Sequence, residues 1–291
     1  MFLGKKGLVI PNRMSERQLN EIQELARICN DADHIELKLN KGMLEKRAEG
    51  EPNDFLWYKD GKLVGFLALY HFVPKEAEVG GMVHPDYRRQ GIFSALTREA
   101  VLSAKRQQVP SLLFVCPQQS RGAQAFLKEQ HTQYDYSEFG MKLSEQPQAT
   151  GGPSSIALRK GTESDRQLMI QLDSFGFESP EEDSISIVDM ILSNPHEDWP
   201  YIACKDAKPV GRINIHIRDG NAHIFGFSVL PEHRRQGYGQ QILLEAIGLA
   251  ANKGLRSVTL EVACGNRKAL ELYQRCGFRE TYVNDYFRLK L

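Results

Sequence analysis

The run Arg234-Arg235-Gln236-Gly237-Tyr238-Gly239-Gln240 sets two cations beside two closely spaced glycines. Glycine lets a backbone approach an anion without a Cβ in the way. If a helix opens here, its first N–H groups lack internal partners and carry partial positive charge. Such a loop can cradle a phosphate or diphosphate, with Arg234 and Arg235 adding charge. The same run also reads as a solvated turn that caps a helix, and the surrounding elements must decide between the two.

Those elements occur twice. Val83-His84-Pro85-Asp86-Tyr87-Arg88-Arg89-Gln90-Gly91 returns 146 positions later as Val229-Leu230-Pro231-Glu232-His233-Arg234-Arg235-Gln236-Gly237. Lys59–Gly65 returns as Lys205–Gly211, and Ser120–Ala123 as Asn266–Ala269, at the same spacing and without a gap. A period this long is a duplicated domain rather than a solenoid repeat. The polar Pro/Gly/Ser-rich stretch Ser144–Ser155 reads as the linker, giving domains over 1–147 and 154–291.

In the second copy, strands are expected at Ile156–Arg159, Tyr201–Cys204, Val210–Ile217, His223–Val229 and Ser257–Val262, with a closing strand over Tyr282–Leu291. Helices are expected after Thr162, from about Pro180 to Leu192, over Gly239–Asn252 and over Arg267–Arg275. The first copy follows the same order, with helices near Ser15–Asn30, Phe93–Lys105 and Ala123–Glu129 and strands near Phe55–Lys59, Leu63–Phe72, Glu76–Val83 and Leu112–Val115. This is an α/β domain with a mixed sheet, used twice. The glycine loop therefore falls between a strand and a helix.

Composition narrows the classes. The 291 residues are 41% hydrophobic and 25% charged, which excludes a largely disordered chain. Lys plus Arg and Asp plus Glu each number 37, so no basic excess points to nucleic acid. The cysteines Cys29, Cys116, Cys204, Cys264 and Cys276 are scattered, and their odd number fits neither a disulfide scaffold nor a metal site. A reducing cytoplasm is the expected location. No apolar run approaches the ~20 residues of a membrane helix, and no secretory h-region follows the first residues.

Taken with Val-x-Pro ahead of it, the R-x-x-G-x-G run between strand and helix resembles the acetyl-coenzyme A motif of the GNAT acetyltransferase superfamily. Leu260-Glu261-Val262, Asn266, Ala269, Leu272-Tyr273 and Gly277-Phe278 are most similar to the ribosomal-protein alanine N-acetyltransferases within it. The resemblance implies a GNAT-like fold in tandem and acetyl transfer from acetyl-coenzyme A to a primary amine of a small molecule or peptide, with no metal. It implies Glu261 as the base and Tyr273 as the acid for the leaving thiolate. It also places Phe227, Val229 and Asn266 beside the coenzyme. Glu261 could equally be an exposed strand residue, Tyr273 a core aromatic, Asn266 a helix cap and Val229 plain core. His223, on the preceding strand, is a rival base, and a covalent route through Cys264 or Cys276 is open in principle. A non-catalytic acyl-coenzyme A binding or sensing module is the competing class.

At the 146 spacing, Gly239 corresponds to Phe93, Glu261 to Val115, Tyr273 to Leu127 and Asn266 to Ser120. The first copy is thus expected to be degenerate. Against this, Glu78 lies on the strand where other superfamily members carry a glutamate base, with Ile224 as its counterpart at that spacing.

Overall fold

A computed structural model describes residues 7–47, 50, 52–145 and 154–291. Most of the expected linker, 146–153, lies outside the described residues. The chain forms two compact units. One comprises Met1–Tyr136 with Asn284–Leu291, and the other Ser137–Val283. The units are therefore not the contiguous stretches 1–147 and 154–291, since each contains a strand segment from the far end of the other's sequence.

The first unit runs β1 (Gly7–Val9), α1 (Glu16–Asp33), α2 (Lys41–Glu45), β2 (Asp54–Lys59), β3 (Lys62–Val73), β4 (Glu76–Val83), α3 (Ile92–Arg106), β5 (Ser111–Pro117) and α4 (Arg121–Glu129). β6 (Gln133–Leu143) begins in this unit and passes into the second. There follow β7 (Ile156–Lys160), α5 (Arg166–Phe177), α6 (Glu181–Leu192), β8 (Asp198–Lys205), β9 (Lys208–Arg218), β10 (Asn221–Val229), α7 (Tyr238–Asn252), β11 (Val258–Ala263) and α8 (Arg267–Arg275). β12 (Phe278–Lys290) returns to the first unit at Asn284.

In the first unit the strand order is β1-β2-β3-β4-β5-β12, with β4 and β5 parallel and the other pairs antiparallel. In the second it is β7-β8-β9-β10-β11-β6, with β10 and β11 parallel. Neither β1, α2 nor β6 is among the elements expected from sequence. β6 is polar and irregular in pattern, and it becomes a strand by pairing with β11 about 120 residues away.

Each sheet is covered on both faces. In the first unit α1 packs on one face through Ile22 and Leu25, and α3 on the other through Leu96 and Ala100. In the second, α5 and α6 contribute Met169, Leu172 and Val188 to one face, and α7 contributes Ile242, Leu243 and Ala246 to the other. Local signals account for the helix starts. Ser15 and Gln18 form a reciprocal capping box before α1, and Thr162 and Asp165 do so before α5. Pro180 is the residue before the first turn of α6 rather than inside it.

Candidate functional site

In the second unit, β10 pairs with β11 over Ala222–Ile224 against Val258–Leu260; among the described residues the ladder goes no further. Beyond this point the strands part. β10 also slips against β9: Phe225 faces Asn214, but Ser228 faces Arg212. Gly226 sits in this bulge at φ +53, so Gly226 and Phe227 belong to neither ladder. A parted pair of parallel strands with unpaired backbone is a slot that can accept an extended ligand and hydrogen-bond it.

The glycine loop stands at one end of that slot. Arg235 and Gly237 adopt φ +61 and +79, a left-handed conformation that turns successive N–H groups toward one point. Gly237 precedes α7 with no side-chain cap, and a Cβ on it would meet nothing within 4 Å. The cradle is thus open to solvent and lined by backbone donors, including those of Tyr238, Gly239 and Gln240 in the first turn of α7. A diphosphate fits this donor set. The two arginines divide their work. Arg234 anchors the loop, donating Nε to Val229 O at 3.1 Å and Nη2 to Gly176 O at 2.8 Å. Arg234 also pairs with Glu178 at 3.3 Å, whereas Arg235 is exposed. Gln236 donates to Glu232 O at 3.1 Å and closes the turn.

Glu261 on β11 is half-buried, and its Oε1 accepts from the Tyr282 hydroxyl at 3.1 Å. Tyr282 lies against Gly140, where any Cβ would fall 2.2 Å from its ring. Tyr273 on α8 is 8% exposed, and its ring is 6.3 Å from that of Phe227. Burial, and then the nearby Cys276, pushes its pKa up to about 12. Gly239 closes the assembly, with Leu272 at 3.3 Å and Phe227 and Val229 at 3.8 Å from a Cβ placed there.

Asn266 is engaged as a helix cap, accepting from Ala269 N at 3.2 Å. Cys276 is fully buried, and burial pushes its thiol up to about 11, which makes it a poor nucleophile. His223 is half-buried with Nδ1 3.1 Å from Thr259 Oγ1. Four residues not singled out in the sequence lie beneath the bulge: Asp173, Arg212, Asn214 and Ser228, all buried. The alternation Arg212-Ile213-Asn214-Ile215 reads as a strand with a wet face. In a sheet covered on both faces, that pattern is the signal of a buried polar cluster.

The first unit repeats the loop. Arg89 and Gly91 adopt φ +62 and +75, and Arg88 donates Nε to Val83 O at 3.1 Å. Its second anchor differs in part: Arg88 makes a two-pronged pair with Asp33, both contacts at 2.8 Å, where Arg234 has Gly176 O and a single contact of 3.3 Å to Glu178. β4 and β5 also part after Val79–Phe114, and a cavity of about 380 Å³ runs between them past Gly91, Phe93 and Phe126. Phe93 is not simply a lost glycine. Its ring lies over Gly81, and the second unit has the inverse pair, Phe227 over Gly239. One aromatic ring fills the strand–helix gap in both units, supplied from opposite sides.

The register also corrects one equivalence. Glu78 faces Leu113, and Thr259, the counterpart of Leu113, faces His223. The sheet counterpart of Glu78 is therefore His223, not Ile224. The β3–β4 hairpin carries its extra residue on β3, between Tyr70 and Val73, whereas the β9–β10 hairpin carries it on β10. The lengths cancel, so a gapless spacing conceals the shift.

Among the described residues, no cluster of three or more His, Cys, Asp or Glu side chains could hold a metal ion, and no helix is long and apolar enough to cross a membrane. Comparison with known proteins agrees with the geometry. The chain is 28% identical to mycothiol acetyltransferase of Salinispora arenicola across 92% of both proteins. It is 31% identical to a protein of Bacillus subtilis named for ribosomal protein bS18 alanine N-acetylation, across 33% of this chain and 66% of that one. A match to mycothiol acetyltransferase of Clavibacter michiganensis, 28% identical, spans 47% of this chain and 46% of that protein. The chain thus spans about half to two thirds of the length of these last two relatives. A GCN5-related N-acetyltransferase from Sphaerobacter thermophilus shares the fold at TM-score 0.79 and 20% identity, over 97% of this chain and 95% of that one. A tandem GNAT protein from the clavulanic acid biosynthesis pathway does so at TM-score 0.71 and 17% identity, over 97% and 98%. The acetyltransferase (GNAT) family model matches residues 19–131 and again 166–278, so the chain belongs to that family and carries its domain twice in tandem.

Proposed function

We propose that the chain is an N-acetyltransferase that uses acetyl-coenzyme A and acts on a primary amine of a small molecule or peptide, with its working site in the second unit. The observation that carries this is the bulged, parted end of β10. It leaves Gly226 and Phe227 outside both ladders, with Phe227 3.8 Å from a Cβ placed on Gly239 of the glycine loop and its ring 6.3 Å from that of Tyr273, while Glu261 lies on the neighbouring strand β11.

Acetyl-coenzyme A would supply the activated acyl thioester, its diphosphate held by the backbone N–H groups of Gly237–Gln240 and by Arg235. The chain's own residues supply the rest. A lysine-like amine has a pKa of about 10.4 and must lose a proton before it can attack. Glu261 accepts that proton, and the Tyr282 hydroxyl fixes the orientation of its carboxylate. Backbone N–H groups around Phe227–Val229 donate to the oxygen that gains charge. The new C–N bond forms as the C–S bond breaks, and Tyr273 donates a hydrogen bond to the departing sulfur. A phenol near 12 yields its proton to a thiolate of ordinary basicity, ~8.5, only uphill. Tyr273 thus stabilises the thiolate by hydrogen bonding, and solvent completes protonation. The buried, protonated Cys276 disfavours an acetyl-cysteine route through that thiol.

One relative is named mycothiol acetyltransferase and another is named for N-acetylation of an alanine of ribosomal protein bS18. The first unit, with Val115 and Leu127 in place of Glu261 and Tyr273, is the non-catalytic copy. Its cavity supports the second reading, acyl-coenzyme A binding without turnover, for that unit. The test is a panel of amines incubated with the full chain and acetyl-coenzyme A, following thiol release, beside calorimetric titration with acetyl-coenzyme A alone. Binding with no amine-dependent release anywhere in the panel would favour the binding module for the whole chain.

A further inference from the structure

The β10 bulge stands on a buried polar cluster. Arg212 is 1% exposed and pairs with Asp173, 2% exposed, at 2.9 Å. Arg212 Nη1 also donates to Met169 O at 3.3 Å, Asn214 Nδ2 to Phe225 O at 3.2 Å, and Ser228 Oγ to Leu172 O at 3.2 Å. Two of these bonds fall on the bulge itself, at Phe225 and Ser228. The cluster crowds the residue between them. A Cβ on Gly226 would lie 2.3 Å from Asn214 Nδ2 and 3.1 Å from Arg212 Nη2. Arg212 Nε and Nη2 and Asn214 Oδ1 are buried without a protein partner among the described residues.

The first unit is an internal control. The positions of Arg212, Asn214 and Ser228 are occupied there by Phe66, Ala68 and Met82, all buried and apolar. Its β3–β4 ladder is unbroken at this point, with Val79, Gly80, Gly81 and Met82 facing Leu69, Ala68, Leu67 and Phe66 in turn. The fold therefore needs neither the charges nor the bulge. A buried ion pair carries a desolvation penalty that apolar residues avoid, so its presence only beneath the bulge calls for a local reason.

We infer that Arg212, Asp173, Asn214 and Ser228 are positioning residues that hold β10 in its bulged form and so keep the Gly226–Phe227 backbone presented to the acyl group. They touch neither acyl group nor acceptor and act through the strand. The inference rests on the reading that the slot between β10 and β11 receives the acyl thioester.

The test uses the full chain with Arg212→Met and Asp173→Leu together, which removes both charges and orphans neither. Amide hydrogen exchange over 225–229, acetyl-coenzyme A affinity by calorimetry and Tm are read in parallel. Exchange at Gly226 and Phe227 should slow at least tenfold as the ladder closes, affinity should weaken at least tenfold, and Tm should hold or rise. Exchange and affinity both within twofold of wild type would overturn the inference. Asn214→Ala, which removes only the bond to Phe225, gives a second reading if the double variant unfolds. A weakening of about threefold or more is expected, and an unchanged affinity and exchange pattern would count against the proposal. Should the wild-type chain bind no acetyl-coenzyme A, the functional reading falls. The exchange pattern of the unliganded protein still decides whether the cluster holds the bulge.

Discussion

The two units carry one anion loop and two different interiors. Arg89 and Gly91 share their φ angles with Arg235 and Gly237 to within 4°, although Arg88 is tied to Asp33 and Arg234 to Gly176 O and Glu178. An anion cradle is made of backbone, and two left-handed residues before a helix suffice to keep it. Catalysis depends on side chains and on how the strand beneath them is bent. The second unit has Glu261, Tyr273 and a bulged β10, while the first has Val115, Leu127 and a ladder that is regular from Val79 to Met82, its extra residue lying on β3 between Tyr70 and Val73. On the proposed reading, the loop geometry persists in both copies while the proposed base Glu261 and acid Tyr273 occur in one.

The largest effect should come from the side chains that differ. Glu261→Gln removes the proposed base and should lower kcat by ~10²–10⁴-fold, with acetyl-coenzyme A affinity retained. Steady-state kinetics beside calorimetry checks this, and a fall in affinity alone would reassign Glu261 to binding.

Next is the alkaline behaviour of Tyr273. Its folded pKa of about 12 exceeds the unfolded value near 10, so the unfolded chain loses this proton first. Stability is therefore shed as pH rises from ~10 toward 12, by about 3 kcal/mol at most for this group. Tyr273→Phe should flatten that part of the denaturant-unfolding profile, while the same measurement on Leu127→Phe in the first unit should leave it unchanged.

The exchanged aromatic rings sharpen the comparison from the packing side. Phe93→Gly alone opens a gap over Gly81 and should cost about 2 kcal/mol for a half-buried ring. Gly81→Phe alone collides with Phe66 O and Phe93. Together the two changes relieve the collision with Phe93 but not the one with Phe66 O, so the pair should cost less than the sum of the single changes. A double-mutant cycle without coupling would refute the equivalence.

The smallest effect concerns the loop itself. Gly237→Ala forces a Cβ into a left-handed turn and should weaken acetyl-coenzyme A about tenfold at the second unit, seen as a higher KM. Gly91→Ala should leave turnover untouched and alter only the calorimetric stoichiometry.

Much of this was legible in the sequence because it is local. The Ser15–Gln18 capping box, the glycine loop and the duplication at 146 depend on neighbouring residues or on direct repetition. What stayed hidden depends on distant pairing. β6 and the end of β12 complete the sheets of units that hold little of their neighbouring sequence. The matched but displaced bulges preserve length while shifting register, so spacing assigns Ile224 to Glu78 where the sheet assigns His223. Arg212 and Asn214 alternate with isoleucines as a half-wet strand would, and only the helices on that face reveal them as buried. Asn266 shows the opposite limit: the residue type predicts a cap or a ligand contact, and the structure displays the cap.

The central claim is that chemistry resides in the second unit alone. The most direct measurement is amine-dependent thiol release from acetyl-coenzyme A by the full chain, its Glu261→Gln variant and its Val115→Ala variant, over one amine panel. The account predicts release by the wild type and Val115→Ala at similar rates and at least a hundredfold loss in Glu261→Gln. Turnover that survives Glu261→Gln and is lost in Val115→Ala would contradict it.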